Sequence, residues 1–393
     1  MNTTLKHWKE AATVILTAGT KYKRSVESLL RETPAFGSGL TNQQPKPAFD
    51  YQVLLLKRSG KSVFMPNAYV FPGGLVDPSD FSSEWLEVFK AFRHLPKFGI
   101  ATVKQPQETR PPIFATDRKQ FGSPIPGDVA FRICAVRETF EESGVLLAVP
   151  SEEANTLNTD DQAENDRPGL TALSDQWDKS LIAKWRSLVL ENSSNFIRMC
   201  RELECLPNIW ALYEWGNWIT PIGLSGPQRR YDTAFYMCCL EDTPDTLQDQ
   251  KEIEHYKWST PPEILHSYRE RELWIPPPQL YDIGRMCNFP LLSDLQDFAR
   301  QRSIEGCEQC HAVILKATDC NIHLLPGDSL YPEKPDSSMS TEKCLEELQK
   351  DSPNLHRIVT HDPYQCTVYI NITPKYKHLP PLIASRSKHN SKL

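Results

Sequence analysis

Three carboxylates are crowded into Arg137-Glu138-Thr139-Phe140-Glu141-Glu142-Ser143-Gly144-Val145. If this segment is helical, the spacing of Glu138, Glu141 and Glu142 puts all three on one face. Like charges so placed repel and weaken a helix, which leaves two readings. One is an ordinary solvated acidic face. The other is a face whose repulsion is relieved by a hard divalent cation, Mg²⁺ by preference, because such ions favour oxygen ligands. A cation there would polarise a phosphoryl oxygen and make a water more acidic. Arg137 stands beside the face and can orient a carboxylate or meet phosphate oxygens.

The element that must carry these residues is a helix over Asp128–Ser143. Asp128 is its predicted N-cap and Gly144 its C-terminal stop. Val129, Ile133, Val136 and Phe140 recur at helical spacing and form an apolar stripe, with the glutamates expected on the opposite side. Ala11–Ala18 and Tyr51–Lys57 read as buried strands, with a polar loop over 20–47 between them. Ala68–Phe71 is a third strand and runs into Pro72-Gly73-Gly74. A short helical pattern follows over Ser83–Phe92, then Pro-rich sequence to Gly127. The stretch 151–168 is acidic and reads as a solvated loop, and broken helix is expected over Leu170–Glu204. Asn217–Leu224 and Tyr231–Leu240 are predicted strands; Pro261–Arg269 and Leu292–Arg302 are predicted helices. Four further apolar runs within 305–380 predict a small β-rich C-terminal module.

Bulk properties narrow the classes. At 393 residues the chain holds two or three domains, or one with large insertions. An apolar fraction of 39% with 24% charged residues suits a globular protein. A net charge of −6 provides no basic field for nucleic acid, so an anionic ligand needs a local site. The longest apolar runs are too short to span a bilayer. Eleven scattered cysteines, with no apolar leader at the N-terminus, predict reduced thiols in an intracellular protein. Ser391-Lys392-Leu393 at the end of a polar tail, 381–393, reads as a peroxisomal address recognised by an import receptor.

Arg137 to Val145 resembles the second half of the box that defines the Nudix hydrolases: Arg-Glu, two residues, Glu-Glu, and a later Gly. At roughly 5% usage per fixed residue, a chance match is on the order of 10⁻⁵ per chain. The first half is similar too, with Phe71-Pro72-Gly73-Gly74 as lead-in and Asp80 where the family usually has Glu. The departure is length, since 56 residues separate Asp80 from Arg137 where the family has seven. The resemblance implies an α/β fold, a Nudix α/β/α sandwich with a mixed sheet over residues 8–290. The insertion, about 81–127, would form a lid or an added wall. It also implies that Glu138, Glu141 and Glu142 hold Mg²⁺ or Mn²⁺, with Arg137, Glu138 and Glu142 catalytic. The general base would be Glu138, or alternatively Glu252 or Glu254 before the Tyr256-Lys257-Trp258 strand.

Substrate class follows from a narrower likeness. Leu54-Leu55-Leu56-Lys57-Arg58-Ser59 is similar to the opening of a coenzyme A signature, although Ser62, Val63 and Asn67 depart from it. The long insertion, Arg229-Arg230-Tyr231-Asp232-Thr233, the Pro276–Pro278 run and the terminal tripeptide resemble the acyl-coenzyme A diphosphatase branch. That branch implies cleavage of coenzyme A or its acyl esters to 3′,5′-ADP and (acyl-)4′-phosphopantetheine. Lys57, Arg58, Arg229 and Arg230 are then the phosphate-binding candidates, with Gly73 and Gly74 lining the site. Trp210, Tyr213, Trp215 and Trp218 would stack on adenine, meet an acyl chain, or pack in the core. The alternatives are another nucleoside diphosphate substrate such as ADP-ribose or NADH, and a Nudix-shaped binding module without turnover. Cys307-x-x-Cys310-His311 fits a haem-attachment pattern, and Cys307, Cys310, Cys320 and His323 a zinc set of unusual spacing; packed thiols are the simpler reading.

Overall fold

A computed structural model describes residues 8–20, 49–156, 171–223, 230–249, 251–335 and 337–382. Arg229, the 20–47 loop beyond Thr20, most of the acidic stretch 151–168 and the terminal tripeptide lie outside them. Fifteen strands occur among the described residues: β1 (Lys9–Gly19), β2 (Tyr51–Arg58), β3 (Tyr69–Val70), β4 (Gly73–Leu75), β5 (Ala148–Pro150), β6 (Cys205–Pro207), β7 (Tyr213–Ile219) and β8 (Tyr231–Leu240), then β9 (Ile253–Ser259), β10 (Gln309–His311), β11 (Val313–Lys316), β12 (Asn321–Leu324), β13 (Met339–Ser340), β14 (His356–Asp362) and β15 (Gln365–Ile370).

The main sheet runs β10-β7-β8-β1-β2-β3, with β4 also on β1 and β9 on β2. It is mixed, with β1 parallel to β8 and β10 parallel to β7, while the other neighbours are antiparallel. β1 is apolar almost throughout because it is covered on both sides. Ala12, Val14 and Leu16 share a core with the acidic helix, Gly127–Ser143. Ile15 on the other face packs with Val53, Leu55 and Phe235 beneath the helices Pro261–Arg269, Pro277–Met286 and Leu292–Ser303. This is the expected α/β/α sandwich.

The acidic helix departs from expectation in two ways. Its stripe is fully buried at Val129, Ile133, Val136 and Phe140, each side chain contributing about 1.5–3 kcal/mol. But apart from Glu138 and Glu141 the rest of its surface is covered as well, so it is a core helix and not an amphipathic one. Arg132 is buried on Leu212 O and Asp128 O, and Thr139 on Ala135 O. Its N-cap is Pro126, not Asp128. Asp128 sits in the first turn, where the helix dipole favours an anion, and is ion-paired to Arg110 and Lys97. Gly144 ends the helix in the left-handed conformation, φ 74°.

The insertion leaves after Asp80 and returns to where it left. Ser123 Oγ donates to Phe81 O at 2.8 Å, closing the excursion. Between these points Trp85, Phe89, Phe98 and Phe114 pack into the core on the acidic-helix side. Arg110 donates to both oxygens of Glu214 on β7 and to Asp128 Oδ1. None of the insertion lines the cavity described below, so it is an added wall behind the helix and not a lid. Loop closure cost rises only slowly with length, so the two flanks meet despite the long detour.

The C-terminal sheet runs β13-β11-β12-β14-β15. Val313, Leu315, Ile322 and Val359 form its own small core. Leu325, Ile358 and Val368 belong instead to the core under the main sheet. Tyr281 Oη meets His356 Nε2 at 2.9 Å, and Arg285 Nε donates to Leu379 O. The module therefore shares a core with the Nudix domain and is not an appendage.

Candidate active site

β4 carries two glycines past the acidic helix, and the absence of side chains there brings the helix close. A Cβ at Gly74 would lie 2.4 Å from Glu138 Oε2. A Cβ at Gly73 would lie 2.4 Å from Thr13 Oγ1 and 2.5 Å from Ala12 O. Gly73 N donates to Glu142 Oε2 at 2.8 Å. The carboxylates thus reach past the edge of the sheet to its other face, where a cavity of about 490 Å³ lies.

Arg137 organises this end. Its Nε and Nη2 donate to Asp80 Oδ1 and Oδ2 at 2.9 and 2.8 Å, a bidentate pair with both side chains buried. Its Nη1 donates to Glu138 Oε1 and Glu141 Oε1, both at 2.8 Å. Its Nη2 also reaches Leu75 O. Asp80, which the insertion separates from Arg137 in sequence, is the residue that locks the two halves of the box together.

The acids are held against their preference. Burial pushes the Glu138 carboxyl up to about 7, opposed by Arg137 and reinforced by Glu141. Burial also raises Glu141 and, more strongly, Glu142, where the Glu138 charge adds to it. Among the described residues, no three His, Cys, Asp or Glu side chains are gathered tightly enough to grip a metal as they stand. At the glutamates the reason is visible: one guanidinium nitrogen occupies an oxygen of both Glu138 and Glu141. Three neighbouring carboxylates with raised pKa values, two of them already drawn to one cationic nitrogen, form a hard-oxygen donor set that suits a divalent cation.

The supposed zinc residues do not form a site. Cys307, Cys310 and Cys320 belong to three different cores, and His323 lines the cavity. All eleven cysteines are unpaired.

The other sequence candidates divide. Arg58 lines the cavity, its Nε and Nη2 on Ser62 Oγ and its Nε on Phe64 O, and it lowers the Glu142 pKa. Lys57, next on β2, is not among the lining residues. Arg230 is also outside the lining; its guanidinium lies 5.5 Å from the Trp8 ring. Glu252 lines the cavity, close enough to raise the pKa values of Glu141 and Glu142. Glu254 is turned away, accepting from Ser59 Oγ and Gly60 N, which lower its pKa. Of the four aromatics only Trp218 lines the cavity, its Nε1 held by Asp282 Oδ2 at 2.9 Å. Trp215 is bound to the same carboxylate from the core, and Trp210 packs on Phe89 and Phe92.

Two contributors escaped the sequence reading. Lys251 lines the cavity, and Asp249 Oδ1 accepts from the backbone N–H groups of Lys251, Glu252 and Ile253, shaping the turn that presents Glu252. The only signal was an Asp two residues before a Lys-Glu pair, an ordinary turn pattern. Among the described residues no helix is long and apolar enough to cross a membrane.

Comparison with known proteins agrees with this architecture. Residues 8–286 match the family described as the NUDT19 Nudix domain, and 314–371 the NUDT19 C-terminal domain. The chain is similar to the protein named acyl-coenzyme A diphosphatase NUDT19 in Xenopus laevis, 47% identical over 99% of this chain and 100% of that one. Its likeness to the Homo sapiens protein of the same name is 39% over 95% and 94%. Among solved structures, a NUDIX hydrolase from Alicyclobacillus acidocaldarius aligns with a TM-score of 0.45 at 19% identity, covering 72% of this chain and 92% of that one. With its box halves joined through Asp80 and Arg137 and both domains matched, the chain belongs to the NUDT19 family of Nudix hydrolases.

Proposed function

We propose that this protein hydrolyses the diphosphate bond of coenzyme A and acyl-coenzyme A, giving 3′,5′-ADP and (acyl-)4′-phosphopantetheine. The observation that carries the chemistry is the Arg137 junction: one buried guanidinium grips Asp80 with two bonds and touches Glu138 and Glu141, with Glu142 seated on Gly73, and the three glutamates line the end of one cavity. The substrate class is supported by the names of relatives that match nearly the whole chain.

Glu138, Glu141 and Glu142 would hold Mg²⁺ or Mn²⁺. When bound, the cation supplies positive charge to the diphosphate and acidifies a water. The chain's own residues do the rest. Arg137 fixes the directions of Glu138 and Glu141. Arg58 and Lys251 place cationic groups on the cavity wall, where they meet phosphate oxygens without needing a basic surface elsewhere. Glu252, exposed on its turn but facing the acid cluster, is the better placed of the two distal candidates to take a proton; Glu254 is already committed to Ser59 and Gly60.

The test is product analysis of purified protein with Mg²⁺ and coenzyme A, free and acylated, beside ADP-ribose and NADH. Release of 3′,5′-ADP from the coenzyme A forms alone supports the reading; cleavage of another diphosphate in its place refutes the substrate. Glu142→Gln keeps an acceptor for Gly73 N and removes a buried charge. It should cut turnover about 100-fold or more without loss of stability. Unchanged turnover would remove Glu142 from the site.

A further inference from the structure

The cavity has two ends of different chemistry, and strand register measures the distance between them. Leu75 on β4 pairs with Ala11 on β1, Ala11 with Thr233 on β8, and Thr233 with Trp218 on β7. All four line the cavity, so they form one row across its floor. Three strand steps of about 4.8 Å place Trp218 about 14 Å from the glutamate end. Trp218 pairs in turn with Cys310 on β10, and the wall then passes to Ala312 and Ile358 of the C-terminal module. Phe235 and Pro277 complete this end. The charged lining groups belong to the acidic helix, β2 and the turn before β9, on the other side of β1. The titratable group that the module adds is His323, which burial keeps neutral by lowering its pKa to about 4.

We propose that the C-terminal module forms the acyl-chain end of the substrate site, with Ala312 and Ile358 limiting the chain length accepted. The inference rests on the coenzyme A reading above. In that substrate the arm from the diphosphate to the sulfur has about a dozen chain atoms, the backbone length of roughly four residues, or about 14 Å extended. A diphosphate at the glutamates therefore delivers the sulfur to Trp218. The acyl group begins there and meets an apolar wall that the Nudix sheet alone does not supply. This gives the shared core a function: Ile358 belongs both to that core and to the cavity wall, so the module is held in register with the site. Each methylene buried there should raise kcat/KM about fourfold until the end wall is reached.

The experiment measures kcat/KM for free coenzyme A and saturated acyl-coenzyme A esters of increasing length, using the full chain, Ala312→Leu and Ile358→Val. Ala312→Leu should move the optimum to shorter chains and lower the long-to-short ratio about tenfold, the worth of between one and two methylenes at that rate. Ile358→Val should move the optimum the other way. If both profiles run parallel to that of the unmodified protein, the proposal is overturned. A thermal melt accompanies each variant; should Ala312→Leu not fold, the direction of the Ile358→Val shift decides. If the unmodified protein cuts no coenzyme A form at all, the substrate reading has failed instead, which is a separate result.

Discussion

Asp80→Asn is the most informative single perturbation, because Asp80 stands on one side of the insertion and the glutamates on the other. The aspartate accepts two charge-assisted bonds from Arg137, at 2.9 and 2.8 Å, and one from Asp77 N, with almost no exposure of either partner. Asparagine keeps one acceptor and turns an N–H₂ toward the guanidinium. Charge-assisted bonds contribute about 1.5–3 kcal/mol each, and breaking one side of a buried pair costs about 3–5 kcal/mol. The expected loss of stability is therefore about 3–5 kcal/mol, read as a lower denaturant midpoint at unchanged slope. The second consequence is functional. Arg137 keeps its bonds to Glu138 and Glu141 but loses its counter-charge, so it competes harder with a cation for the same oxygens. Hydrolysis should fall about 10- to 100-fold and need more divalent ion for half-maximal rate. A double cycle with Arg137→Gln should show a coupling of about 0.5–3 kcal/mol. Strictly additive losses, or a variant within about 1 kcal/mol of the parent with the same metal requirement, would refute the idea that this pair joins the box.

The two glycines should fail differently. Gly73→Ala meets backbone and should lower stability, whereas Gly74→Ala meets the end of the flexible Glu138 side chain and should lower kcat with little effect on melting. Asp232, on the face of β8 away from the cavity, has its carboxyl pushed up to about 7 by burial, with Asn217 opposing. The fold thus keeps a proton that the unfolded chain has lost above about pH 4. Stability should fall as pH rises from about 4 to about 7, by about 2–4 kcal/mol, and Asp232→Asn should flatten that slope in denaturation curves taken across the window. Residues 381–393 fused to the end of a fluorescent reporter should direct it to peroxisomes, and Leu393→Ala should disperse it; a diffuse reporter from the unaltered tail would remove the targeting reading.

Most of the elements were legible because their patterns are local. β8 and the helix Pro261–Arg269 fall within their predicted limits, the first from a β-rich run between polar residues, the second from a Pro-Pro start. The N-cap of the acidic helix was misread. An aspartate two residues inside the helix looks like a cap until Arg110 and Lys97, both from the insertion, are seen to hold it. Of the two readings of the acidic face, the solvated one fails for a similar reason: Gly73, Gly74 and Arg137 pack against the glutamates, and no periodicity within the helix reports what a distant segment will bury.

Spacing alone determined that Glu138, Glu141 and Glu142 share a face, since helical geometry leaves them no other arrangement. It also marked Gly73 and Gly74 as the tight lead-in. Tertiary structure decided which acids and cations meet. It returned the insertion to its starting point so that Asp80 reached Arg137, and it turned Glu252 toward the cluster and Glu254 away. It brought Arg58 to the cavity and left Lys57 outside its lining, and it brought Ala312 and Ile358 from the chain's last quarter to the end of the same pocket. These are contacts between residues far apart in the chain, formed by burial, which is non-directional and writes no local signature into the sequence.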